Sequence, residues 1–164
     1  MLEMKGISKL FNPGTTDEKP ALVGIDLKLN PGDFVTIIGS NGAGKSTLMN
    51  LISGTLKPDI GEIFIDGVEI SALSEHHRSR WIGRVFQDPM AGTAPNMTIE
   101  ENLAMAYARG RKRGLRLGVT ARKRALFQEK LSRLGIGLEN RLKAKVGLLS
   151  GGERQALSLL MATF

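Results

Sequence analysis

The sequence predicts an α/β fold, with an antiparallel β subdomain at the N-terminus, a core built on one strand–loop–helix unit and an inserted α-helical subdomain. Three observations carry this reading. Apolar residues alternate with polar or small ones in the first thirty positions; a glycine-rich loop separates an apolar β-branched run from a helical stretch; and from residue 98 onward the apolar spacing is helical.

In chain order, Leu2 and Met4, then Ile25, Leu27 and Leu29, have the alternation of half-buried strands, separated by a turn-rich stretch from Asn12 to Pro20. Asn30-Pro31-Gly32-Asp33 is a tight turn. Phe34-Val35-Thr36-Ile37-Ile38 is too short for a helix and reads as a strand buried on both faces of a parallel sheet. From Lys45, Leu48, Leu51 and Ile52 share a helical stripe that ends at Gly54 and Pro58. Ile63 and Ile65 alternate before an Asp66-Gly67 turn, and Trp81 to Phe86 is another short strand candidate, ending at Gln87-Asp88-Pro89.

Thr98 to Leu134 reads as helical. Thr98 and Glu101 form a capping box, Ile99, Leu103 and Tyr107 share one stripe, and Leu126, Phe127, Leu131 and Leu134 share another. Gly135 is a helix stop. Ser150-Gly151-Gly152-Glu153 opens a last helix that runs to Phe164 without a stop signal.

Composition narrows the function classes. With 41 % hydrophobic and 24 % charged residues, the 164-residue chain is a globular domain or a large piece of one. Charges at Glu3 and Lys5 interrupt any signal-peptide pattern, and no apolar run approaches the roughly 18 residues of a membrane span. Zero cysteines exclude disulfides, thiolate metal sites and a cysteine nucleophile. Much of the +7 net charge is local: Arg109, Arg111, Lys112, Arg113, Arg116, Arg122, Lys123 and Arg124 follow one another with no acid between them. A solvated helical hairpin, an anionic lipid surface and nucleic acid phosphates are the three readings of that stretch.

The loop Gly39-Ser40-Asn41-Gly42-Ala43-Gly44-Lys45-Ser46, continued by Thr47, matches the phosphate-binding pattern G-x-x-x-x-G-K-[ST]. Glycines let the backbone curl with its N–H groups aimed at phosphate oxygens, where side chains would block approach. The helix opening near Lys45 contributes its positive dipole end, Lys45 a charge for the β and γ phosphates, and Ser46 a hydroxyl for Mg²⁺. The expected ligand is ATP with Mg²⁺, on a P-loop NTPase core.

Leu149-Ser150-Gly151-Gly152-Glu153 is on its own an ordinary S-x-x-E capping box. Downstream of a phosphate loop, and followed by Gln155, it resembles the signature motif of ATP-binding cassette (ABC) ATPases, the nucleotide-binding subunits of ABC transporters. The resemblance spans the whole chain: residues 1–89 as β subdomain and P-loop core, 90–150 as helical subdomain with the signature at 149–153, and 154–164 as signature helix. It implies a head-to-tail dimer in which Ser150, Gly151, Gly152 and Glu153 close over the partner subunit's ATP. It also implies an accessory role for Gln87 at Mg²⁺ or the attacking water, Phe11 beneath adenine, and a transmembrane permease at the cytoplasmic face of the plasma membrane.

The same resemblance implies an absence. The family's next element is the Walker B strand, ending in Asp-Glu, followed later by a switch histidine, and the chain is expected to stop short of both. No catalytic residue is therefore assigned. His76 and His77 sit in a polar stretch and read as surface residues, and Glu153 does not replace the missing base. Without the strand that pairs with the phosphate-loop strand, a long apolar edge is exposed, so the chain alone is expected to aggregate and to turn over no ATP. The expected function is ATP binding that energises transport, as in bacterial small-solute importers. The alternative is a soluble cassette acting on nucleic acid or ribosomes; the absence of cysteines and heptads and the presence of one cassette count against it. The transported substrate is not legible in this subunit.

Overall fold

Leu2–Phe11 (β1) and Lys19–Leu29 (β2) pair antiparallel across the turn-rich segment, with Leu2 opposite Leu29 and Phe11 opposite Lys19. Ile60–Ile65 (β3) adds to the other edge of β1, and Val68–Glu69 (β4) folds back over the Asp66-Gly67 turn, giving the strand order β2-β1-β3-β4. These elements belong to a computed structural model that describes residues 1–88, 90–110 and 117–164. The expected alternation is present in β3, where Ile63 and Ile65 are buried. In β1 a register shift between Met4 and Ile7 lets both enter the core despite their odd spacing.

The contacts divide the chain into two units, Met1–Trp81 and Ile82–Phe164. In the first, Met4, Ile7, Leu22, Leu51, Ile63, Ile65 and Ile70 form the buried apolar set. Lys45–Ser53 (α1) buries Leu51 from its apolar stripe, and Gly54 ends it in the left-handed conformation. The short helix Glu75–Arg78 (α2) delivers Arg78 into this unit with no exposed surface. Its guanidinium donates to the carbonyls of Leu51, Ile52, Ser71 and Leu73 at 2.6 to 3.0 Å. His76 and His77 are exposed, as read, each with Nδ1 2.9 Å from the Ser74 hydroxyl.

The second unit holds Ile99–Tyr107 (α3), Ala121–Ser132 (α4) and Gly151–Ala162 (α5), with 3₁₀ turns at Leu138–Asn140 and Val146–Leu148. Ile99, Leu103, Phe127, Leu131, Leu138, Val146 and Leu157 are fully buried in one cluster. Tyr107, Phe127 and Phe164 meet edge-to-face with centroids 5.8 to 6.1 Å apart. Asn102, also without exposed surface, holds the preceding turn by bonding both the N–H and the C=O of Ala94 and the Thr98 carbonyl. No helix among the described residues is long and apolar enough to cross a membrane.

Two expectations are corrected. Phe34–Ile38 forms no strand: the segment joins no ladder, and Phe34 and Ile38 are 95 % and 89 % exposed. A strand is buried by its neighbours, and none of the described strands lies beside this one. Trp81–Phe86 likewise has no ladder partner and contains the boundary between the two units. Within the helical stretch 98–134, α3 ends at Tyr107 and α4 begins at Ala121, each carrying one of the two apolar stripes.

The basic stretch is partly outside the described residues, which exclude Arg111, Lys112, Arg113 and Arg116. Of its described members, Arg124 pairs with Glu100 at 2.7 Å, Arg109 donates to the carbonyls of Ile82 and Met161, and Lys123 donates to the Gly118 carbonyl. Glu100 is remote in sequence, so the absence of acids within the run did not mean absence in space.

Candidate functional site

The loop Gly39–Gly44 leads directly into α1, whose N-cap is Gly44 with φ +85°. An added Cβ there would stand 2.6 Å from the Ala21 carbonyl oxygen, so both conformation and proximity to β2 call for glycine. No side chain caps α1 and no acid lies in its first turn, in contrast to α3, α4 and α5, which are capped by Thr98, Thr120 and Ser150. The first N–H groups of α1 thus lack the side-chain partner that α3, α4 and α5 have, as an anion site at a helix N-terminus requires.

These residues line a hollow of about 310 Å³ together with Phe11, Lys19 and Ala21. Its wall runs from Asn41 through Gly42, Ala43, Gly44, Lys45 and Ser46 to Thr47. Two ammonium groups and no carboxylate are among the lining residues, which suits a polyanion. Lys45 Nζ donates to the carbonyls of Gly39 and Ser40 at 2.8 and 2.6 Å, so its charge is held within the loop's curl. The hydroxyl-bearing Ser46 and Thr47 begin the helix beside it. Gly39 packs close to Ala43, its added Cβ falling 3.2 Å from the Ala43 side chain. The donor set fits ATP, with Phe11 as an apolar wall at the end of β1. Among the described residues no group of three or more His, Cys, Asp or Glu could hold a metal by itself. Magnesium would therefore need phosphate oxygens beside the Ser46 hydroxyl.

Ser150–Glu153 forms the N-terminus of α5. The Ser150 hydroxyl accepts from the Glu153 N–H at 3.2 Å, and the Glu153 carboxylate accepts from the Ser150 N–H at 2.8 Å. That backbone bond, followed by the Ser150 hydroxyl and nearby Arg141, holds the Glu153 carboxyl below the usual range. Arg141 also pairs with Glu153 at 2.7 Å. Gly151 and Gly152 are exposed, and an added Cβ on either would meet nothing within 4 Å. No contact among the described residues demands glycine there.

Phe11 and the loop residues are brought together by the structure; Gln87, exposed beside Asp88, and the Ser150–Glu153 turn belong to the other unit. Four polar residues that shape these segments were not singled out in the sequence. Lys19 lines the hollow, Arg78 and Asn102 hold backbone carbonyls, and Arg154 donates to the carbonyls of Gly147 and Leu149 ahead of the capping box and contacts the Met90 sulfur. Only Lys19 carried a usable signal, since it faces Phe11 across the hairpin.

Residues 22–164 match the family model described as ABC transporter. The chain is 40 % identical to the tyrosine transport ATP-binding protein of Clostridioides difficile, over 99 % of this chain and 64 % of that relative. It is 35 % identical to a lipoprotein-releasing system ATP-binding protein of Caulobacter vibrioides, over 99 % of this chain and 67 % of that protein. Among solved structures it resembles an ATP-binding cassette determined as a dimer in a post-hydrolysis state bound to ADP and Pi, with 32 % identity and a TM-score of 0.76 over 99 % of this chain and 68 % of that one. The chain therefore spans about two thirds of these relatives, and its fold is that of their α/β cassette. The family match over most of the chain and the agreement in fold lead to one conclusion: this chain belongs to the ABC transporter family of ATP-binding proteins.

Proposed function

We propose that the chain binds MgATP through Gly39–Thr47 as the nucleotide-binding part of an ABC transporter's ATPase subunit. The observation that carries this is the uncapped N-terminus of α1, which opens with Lys45 and Ser46 onto a hollow with cationic and no acidic lining. In this reading Lys45 and the loop N–H groups hold the β and γ phosphates, Ser46 contributes to Mg²⁺, and Phe11 supports the base. When bound, Mg²⁺ supplies charge neutralisation on the phosphate oxygens. The division into 1–89, 90–150 and 154–164 is part of the same proposal.

Ser150, Gly151, Gly152 and Glu153 complete the site of a second subunit in a head-to-tail homodimer. What supports this is the exposure of Gly151 and Gly152 at the start of α5, where an added Cβ would meet none of the described residues within 4 Å. A transmembrane permease, met by this subunit at the cytoplasmic face of the membrane, is the further partner, and import of a small solute is the direction proposed. The name of the tyrosine transport relative supports a small solute; that of the lipoprotein-releasing relative shows that the family also serves other cargo. Anionic lipid headgroups do not figure among the proposed partners, because Arg109 and Arg124 are engaged internally.

Equilibrium binding of a fluorescent ATP analogue at submicromolar protein tests the proposal. The wild-type chain is expected to bind in the presence of Mg²⁺, and Lys45→Ala to bind at least about tenfold more weakly. Failure of the wild-type chain to bind, or equal affinity in Lys45→Ala, counts against it.

A further inference from the structure

We infer that Lys19 is a second phosphate-binding lysine of the nucleotide site, reaching the loop from β2 beside Gly42. The inference rests on the nucleotide reading given above and adds a residue to it.

Lys19 begins β2 and is the cross-strand partner of Phe11, so the residue proposed to support the base and this ammonium are fixed side by side at one end of the hairpin. Both line the hollow with the loop. Lys19 Nζ lies 3.9 Å from the position a Cβ would take on Gly42, so the ammonium comes to the loop where its backbone is bare of a side chain. Among the described residues no carboxylate pairs with it. The adjacent Glu18 is held elsewhere, accepting a 2.7 Å bond from the Gly14 N–H within the 12–18 turn.

The contrast with Lys45 defines the role. Lys45 donates twice to its own loop and reaches a phosphate by exchanging those bonds. Lys19 has no such bond to give up, and it faces a lining without acids. An ammonium so placed recognises the charge of the polyphosphate rather than the base, because the base has no negative charge for it to meet. Being exposed, it contributes less than a buried charge pair.

The test compares wild type, Lys19→Met and Lys19→Arg for binding of MgATP and of inorganic tripolyphosphate, an anion without base or ribose, by displacement of a fluorescent ATP analogue or by direct calorimetry. Lys19→Met is expected to weaken both ligands by about fivefold, with Lys19→Arg close to wild type and unchanged far-UV circular dichroism in both variants. Equal affinities in wild type and Lys19→Met would overturn the inference, as would a loss for ATP that spares tripolyphosphate. A wild-type chain that binds tripolyphosphate but not ATP would sink the nucleotide reading and leave the Lys19 comparison intact; one that binds neither overturns both.

Discussion

Arg78 Nη1 donates to the Leu51 carbonyl at 2.6 Å, tying the last turn of α1 to a guanidinium that arrives from α2. The first turn of that same helix carries Lys45 and Ser46. One end of α1 is thus left to a ligand while the other is anchored by a buried arginine, whose positive charge suits a helix C-terminus.

Removing that anchor leaves the carbonyls of Leu51, Ile52, Ser71 and Leu73 without their donor. Arg78→Ala is expected to destabilise the chain by about 3 kcal/mol, since several charge-assisted bonds are lost from a buried site. Urea denaturation followed by circular dichroism measures this. A midpoint equal to wild type would show that the guanidinium is not holding the helix.

Gly83→Ala is expected to destabilise by about 1–3 kcal/mol, as overpacking against rigid backbone does. Its Cβ would fall 2.1 Å from the Ala162 carbonyl oxygen and 3.0 Å from the Ala162 carbonyl carbon, and neither can rotate away. A melting temperature within a degree or so of wild type contradicts the close approach of this segment to the end of α5.

Glu101 and Glu153 are both capping-box carboxylates with pKa below the ordinary 4.5, mainly through the backbone N–H of Thr98 and of Ser150 respectively. A depressed folded-state pKa means that their capping is fully present above about pH 4.5 and is lost as pH falls through the lower folded value. Carboxyl carbon titration by NMR should give midpoints under 4.5 for both, with that of Glu153 rising in Ser150→Pro, which removes the donated N–H while leaving Arg141 in place. Midpoints at or above 4.5 in the wild type would deny the capping geometry.

The exposed Phe34 and Ile38 give the chain an apolar edge without a pairing strand. Phe34→Lys with Ile38→Lys is expected to slow the growth of light scattering on concentration while leaving the far-UV spectrum intact. If the double variant unfolds instead, these side chains are buried in the working chain.

The parts of the fold that were legible in the sequence are those decided within a few residues. The phosphate loop, the start of α1 at Lys45, the Gly54 stop and both capping boxes follow from local backbone chemistry. Phe34–Ile38 was misread because an apolar β-branched run states what a segment could bury, while its burial depends on strands contributed from elsewhere. Arg78, Asn102 and Arg154 escaped notice for a related reason. Their partners are main-chain carbonyls, which have no identity in a sequence, so a residue that grips them looks the same as one that faces water. Arg124 reads as one more charge in a basic run until the fold sets Glu100 beside it.

Hydrogen–deuterium exchange of the chain at low protein concentration, with and without MgATP, tests the central claim most directly. The account predicts protection in peptides covering Gly39–Thr47 and the first turn of α1, saturable with nucleotide and abolished in Lys45→Ala. Saturable binding that leaves those peptides unchanged, or equal protection in Lys45→Ala, would contradict it.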